Sequence, residues 1–142
     1  MRELDREALR ERLDRVVVET DAIAARLPAS ATEYASQEAE SLRYELEHRL
    51  FIALQAMLDA AAHVAVTQGA RPIETYGDAI EALVRLGIVE EELGRALVAA
   101  SGLRNALAHE YLRLDHTRVY EALRGARELR RFARRLWEWA TR

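Results

Sequence analysis

Apolar residues recur along most of this chain at steps of three and four, the period of helices that bury one face. The first run, Leu9, Leu13, Val16, Val17, Ile23 and Leu27, predicts a helix from about Asp5 to Leu27, ended by Pro28. Ser30-Ala31-Thr32-Glu33 has the spacing of a capping box and opens a long second helix that runs to about Gln68. Its core face is Leu46, Leu50, Leu54, Met57, Leu58, Ala61, Val64 and Ala65, and Ala60 to Ala62 admit a closely packed neighbour. A helix of that length shows more apolar surface than a short partner covers, so part of it is expected in a subunit interface. Gly69 to Pro72 reads as a turn, and the third helix starts at Thr75 with Asp78 placed against its free amides. Ile80, Leu83, Val84 and Leu86 should point inward, with Gly87 as a left-handed stop.

The fourth helix gathers Glu90, Glu91 and Glu92 in its first turn, where negative charge suits the helix dipole. It continues through Leu93, Leu97, Ala100, Leu103 and Leu107, and Gly102 is expected to permit tight packing. Asp115 caps a last helix whose Val119, Leu123, Leu129, Phe132, Leu136 and Trp139 close the bundle. No strand pattern or internal repeat competes with this reading. The fold class is therefore all-α, one domain over residues 1–142, built as a bundle of about five helices.

Composition agrees with the pattern and removes several chemistries. With 142 residues, two prolines and six glycines, the chain suits one core and long helices. It has no cysteine, which excludes disulfides, thiolate metal sites and a cysteine nucleophile. The charged start, Met1-Arg2-Glu3-Leu4-Asp5-Arg6, is unlike a signal peptide, and no uninterrupted apolar segment approaches the roughly 20 residues of a membrane span. A cytoplasmic protein without membrane contact is expected.

Net charge is −3, but its distribution is uneven. Residues 1–103 hold 11 arginines against 19 acids, whereas residues 104–142 hold 10 arginines against 5. Such a basic end could guide a polyanion, while Arg127, Arg130, Arg131, Arg134 and Arg135 would serve equally well as a solvated helix face.

That basic share begins at Arg104-Asn105-Ala106-Leu107-Ala108-His109-Glu110-Tyr111. The stretch gathers a permanent cation, an amide, an imidazole and a phenol between apolar positions. Arginine can hold a phosphate through two donors and histidine exchanges protons near neutrality, a pairing suited to cleaving a phosphodiester without a metal. On a straight helix Arg104 and His109 stand about 140° apart, so one helix cannot easily aim both at one atom. Either the helix ends near His109 or a second copy brings its own motif opposite the first. The Glu-x-x-His spacing at Glu45 and His48 occurs once, where di-iron bundles use two, and no second histidine follows His109-Glu110 as in zinc-protease helices. No metal and no cofactor is expected.

Arg104, His109 and Tyr111 match the R-x4-H-x-Y pattern of the HEPN superfamily, and the chain resembles its HepT toxins in particular. Pro72 and Tyr76, Leu86-Gly87-Ile88 and Gly102-Leu103-Arg104-Asn105 follow in the HepT order across most of the chain. The resemblance implies a HEPN-like bundle forming a two-fold homodimer, with two motifs facing a shared cleft where RNA is cut. In that setting His109 transfers protons, Arg104 stabilises the charge building on phosphorus, and Asn105, Tyr111 and Arg113 support or contact the RNA. It also implies a partner, an MntA-type minimal nucleotidyltransferase antitoxin that attaches AMP to Tyr111. Blander roles stand beside these: His109 bound to a helix-end carbonyl, Arg104 paired with Glu110, Tyr111 in the core. A HEPN module that binds RNA or a nucleotide without cutting, or a structural dimer that holds a nucleotidyltransferase, are the other functional readings.

Overall fold

In a computed structural model, residues 3–69 and 73–142 are described. Among them the chain forms seven α-helices and no strand, where the sequence pattern predicts about five helices. The elements are α1 (Arg6–Arg26), α2 (Ala31–Tyr34), α3 (Glu40–Thr67), α4 (Tyr76–Arg85), α5 (Glu91–His109), α6 (His116–Arg124) and α7 (Arg127–Ala140), with 3₁₀ turns at Gln37–Ala39 and Tyr111–Arg113.

The first helix forms as its stripe predicts. The Asp5 carboxylate accepts from the Ala8 amide, and Leu9, Leu13, Val16 and Ile23 are buried. The second does not run unbroken from Ser30. Ser30 Oγ accepts from the Glu33 amide at 3.1 Å, which is half of the expected box, and α2 then stops after one turn. A side chain from the next helix binds the chain at that point. Arg43, from the first turn of α3, donates through Nη1 to the carbonyls of Tyr34 at 2.8 Å and Ser36 at 2.5 Å. Tyr34 itself is fully buried in the core.

Helix α3 forms the axis of the bundle and packs against α1, α4, α5, α6 and α7. Every residue of its expected core face is buried, and Ala53 and Ala60 join them. Much of its surplus apolar surface is covered inside its own chain. Length and composition alone would let Gln37–Thr67 cross a membrane, although Gln55 and Asp59 interrupt its apolar run. Of its most apolar window, 61% is buried in the bundle, so this is the apolarity of a core helix.

Helix α4 opens with a complete capping box. The Asp78 amide donates to Thr75 Oγ1 and the Thr75 amide returns to Asp78 Oδ2, both at 3.1 Å. The Glu74 and Thr75 amides hold the Asp78 carboxyl below the usual carboxylate range. The expected turn through Pro72 lies outside the described residues, although Gly69 before it has φ +75°. Gly87 stops α4 as expected, at φ +72°. Leu86 does not point inward but is 48% exposed, and Ile88 and Val89 fill the core beyond the stop instead.

The glycine that allows close packing on α5 is Gly94 rather than Gly102. A Cβ at Gly94 would fall 2.5 Å from Val84 Cγ2, whereas one at Gly102 would meet nothing within 4 Å. The last predicted helix is two helices joined at Gly125. Helix α6, capped by Asp115, packs on α2, where Tyr120 donates to the Pro28 carbonyl at 2.7 Å. Helix α7 packs on α1 through buried residues that include Phe132 and Leu136. One straight rod could not reach both partners.

Tyr34 supplies a stability prediction. Its hydroxyl donates to Glu47 Oε2 at 2.6 Å, and burial first, then that bond, push its pKa well above 10.0. A phenol whose pKa is raised by folding contributes fully below the unfolded value near 10 and loses that contribution as pH rises further. The protein should therefore lose about 1.4 kcal/mol per pH unit above pH 10 from this group. Tyr34→Phe should flatten that slope in chemical denaturation between pH 9 and 11, and an unchanged slope would contradict the assignment.

Candidate active site

The Arg104–Tyr111 stretch lies at the open end of α5. Buried residues on this helix stop early, at Leu93, Gly94 and Leu97, and from Ala100 onward every position is half-buried or exposed. The last helical bond runs from the Glu110 amide to the Ala106 carbonyl at 2.8 Å. Glu110 then leaves helical geometry, at φ −116° and ψ 28°, and the chain enters the Tyr111–Arg113 turn. The helix thus ends at His109 itself, one of the two arrangements that the 140° separation allowed.

The motif residues have separate surroundings. His109 is exposed, and among the described residues no hydrogen bond holds its ring, so it is not a helix-end histidine tied to a carbonyl. Tyr111 is 69% exposed, which removes it from the core, and the neighbouring Leu112 is 85% exposed. Asn105 and Arg113 are also exposed.

Arg104 is held instead. Its Nε donates to Gln55 Oε1 at 2.7 Å, its Nη1 donates to Asn105 Oδ1 at 3.1 Å, and the guanidinium lies 5.3 Å from the centre of the Phe51 ring. It makes no ion pair among the described residues, and the considered bridge to Glu110 is absent. The structure brings Arg104 and Asn105 together; His109 follows Arg104 by a rise of about 7.5 Å along the helix, and Tyr111 lies beyond the helix end.

Behind Arg104 is a polar cluster that the motif alone did not reveal. Gln55 Nε2 donates to Asp59 Oδ1 at 2.9 Å and lies 2.6 Å from the Tyr76 hydroxyl, which itself donates to Asp59 Oδ1 at 2.7 Å. Burial and the Asp59 bond raise the Tyr76 pKa, against an opposing pull from Arg104. A signal for this cluster was present in the sequence: Gln55 and Asp59 are the only polar residues from Phe51 to Ala62, and they fall one helical turn apart.

A groove of about 820 Å³ runs beside α5, lined by Leu103, Ala106, Glu110, Arg113, Leu114 and Arg118 among others, with Leu50 and Leu54 on its walls. The basic C-terminal end is only partly paired. Arg130 pairs with Asp21 at 2.8 Å, Arg131 with Glu90 at 3.7 Å and Arg124 with Glu121 at 3.5 Å, as a solvated surface would. Arg113 and Arg118, next to the motif, are exposed and have no ion pair among the described residues. Glu45 of the lone Glu-x-x-His spacing is engaged by Arg26 at 2.7 Å and Arg49 at 3.3 Å.

The family model described as "Ribonuclease HepT-like" matches residues 11–136. This chain belongs to the HepT-like ribonuclease family. A protein of Archaeoglobus fulgidus named "Putative RNase" is 32% identical to it over 82 residues, 58% of this chain. The match spans 61% of that relative's length. The solved structure of YutE, a cytosolic Bacillus subtilis protein of unknown function, superposes with a TM-score of 0.79 over 98% of this chain and 92% of that one. At 21% identity that likeness speaks for the helical fold alone.

Proposed function

We propose that this HepT-like protein is a metal-independent endoribonuclease, the toxin of a two-gene toxin–antitoxin pair, acting at a cleft shared by two copies of the chain. The observation that carries the reading is the end of α5. It leaves the His109 imidazole exposed on the last residue of the helix, while Arg104 is anchored earlier on the same helix and makes no ion pair among the described residues. Half-buried Leu103, Ala106 and Leu114 along the adjoining groove suit a self-complementary two-fold contact, which would set two motifs opposite one another.

In that cleft a base takes the proton of a ribose 2′-hydroxyl. The oxygen attacks the adjacent phosphorus, and the 5′-oxygen leaves with a proton from an acid, giving a 2′,3′-cyclic phosphate. The two His109 rings perform the proton transfers. Arg104 supplies positive charge to the equatorial oxygens as phosphorus becomes five-coordinate. Asn105 orients the phosphate, and Arg113 contacts the flanking backbone. DNA lacks the internal nucleophile and should stay intact.

Exposed Tyr111 is accessible to a nucleotidyltransferase antitoxin of the MntA type. Attack of its phenolic oxygen on the α-phosphorus of ATP, with loss of pyrophosphate and the phenolic proton, would place an anionic adenylyl group beside the RNA path and repel the substrate.

Purified protein incubated with end-labelled RNA and a chelator is expected to produce fragments with 2′,3′-cyclic ends, and a single 2′-deoxy substitution at the scissile position should abolish that cut. Cleavage that requires added metal, or that leaves 3′-hydroxyl ends, would overturn this mechanism. Coexpression with an MntA-type nucleotidyltransferase from the same genome should add adenylyl mass to the peptide carrying Tyr111 and to no other.

A further inference from the structure

Arginine donates only and aspartate accepts only, so a side chain placed between them must accept on one side and donate on the other. Gln55 stands in that position. Its carbonyl oxygen takes the Arg104 Nε proton at 2.7 Å, and its amide nitrogen donates to Asp59 at 2.9 Å beside the Tyr76 hydroxyl. Reversing the amide would set NH2 against a guanidinium and a carbonyl against a carboxylate. Asp59 and Tyr76 therefore lock the amide in the one orientation that presents an acceptor to Arg104. Phe51, one turn before Gln55 on α3, lies beneath the guanidinium and limits its tilt.

We infer that Gln55 is a positioning residue that aims Arg104 through a neutral hydrogen bond, with Asp59 and Tyr76 as its backing, so that the guanidinium is fixed without being neutralised. A carboxylate at the same place would hold Arg104 at least as firmly, through a charge-assisted bond. It would also cancel much of the field that a phosphate is meant to meet, and it would compete with that phosphate for the guanidinium donors. The neutral amide separates the two tasks: Nε is tied down, and no carboxylate among the described residues is in direct contact with the guanidinium. The Asp59 charge is kept one residue away and divided between the Tyr76 hydroxyl and the Gln55 amide. This rests on the reading that Arg104 meets the scissile phosphate.

Two variants and two independent readouts test the inference. The first readout is the proton–nitrogen resonance of Arg104 Nε, identified by its disappearance in Arg104→Lys, which requires no cleavage. The second is kcat and KM on a short RNA, with thermal melting as a check that each variant is folded. Gln55→Met, of similar length but apolar, should release Arg104. Its Nε resonance should move to the position of a free arginine, and kcat should fall about 10- to 100-fold, as for other small displacements of a catalytic group.

Gln55→Glu should keep the resonance in its hydrogen-bonded position yet raise KM and lower kcat near pH 8. Relative to wild type, activity should recover as pH falls and the introduced carboxyl, facing Asp59, Tyr76 and Arg104, takes up a proton and becomes a neutral acceptor and donor. A Gln55→Glu protein as active as wild type at every pH would overturn the requirement for a neutral anchor. Full kcat in Gln55→Met with a freed Arg104 would overturn positioning altogether. If wild type itself leaves RNA intact, the ribonuclease reading falls and takes the catalytic consequence with it, while the Arg104 resonance still decides whether Gln55 is the anchor.

Discussion

Arg104→Ala is expected to slow RNA cleavage by about 10³-fold or more while the protein stays helical. The guanidinium is the one cation in the motif that cannot be discharged near neutrality, and it is already held in place. Its Nε is bound to Gln55, its face lies over Phe51, and it makes no ion pair among the described residues, so little reorganisation remains to be done when a phosphate arrives. The cost to stability should be small, about 1 kcal/mol, since Arg104 is only half-buried and the loss is chiefly a partner for the Gln55 carbonyl. Arg104→Lys keeps the charge but loses both the Nε bond and the two-donor fork, and should recover only a small part of the rate. Single-turnover cleavage, with circular dichroism melting on the same samples, separates rate from stability. A folded Arg104→Ala protein that cuts at the wild-type rate would leave the proposed mechanism without its electrostatic half.

His109→Ala should cost about 10²- to 10⁴-fold in the rate of the chemical step, the range for removing a proton-transfer group. His109 is exposed at the last position of α5 and makes no hydrogen bond among the described residues, so the variant should melt within about 0.5 kcal/mol of wild type. RNA binding should survive, because the guanidinium and the exposed Arg113 remain. The measurement is therefore a split: lost kcat with retained affinity. Affinity lost in step with rate would mean that His109 holds the substrate instead of moving its protons.

Much of the local structure was legible in the residues themselves. The Thr75 and Asp78 pair, the Asp115 cap and the Gly87 stop each depend on atoms within a few positions, and the structure forms all three. The core stripes of α1 and α3 follow from a period that a helix must express whatever surrounds it. Residues that depended on distant partners were misread. Leu86 fits an inward stripe by spacing, but α4 stops there and the following Ile88 and Val89 fill the core instead. Gly102 and Gly94 are alike as residues, and only the position of Val84 on α4 decides which of them is needed for packing.

The sequence by itself therefore determined the helical class and most of the helix ends and pointed to the HepT-like family, because periodicity, capping and a short motif are properties of neighbouring residues. Tertiary structure alone decided that the chain leaves helical geometry after Tyr34, where Arg43 binds its carbonyl, that Gly125 divides α6 from α7, and that Gln55, Asp59 and Tyr76 stand behind Arg104. In the chain Gln55 and Arg104 are 49 positions apart. They meet only because α3, α4 and α5 bury their apolar faces against one another, and that burial sets which polar groups on adjacent helices come within reach.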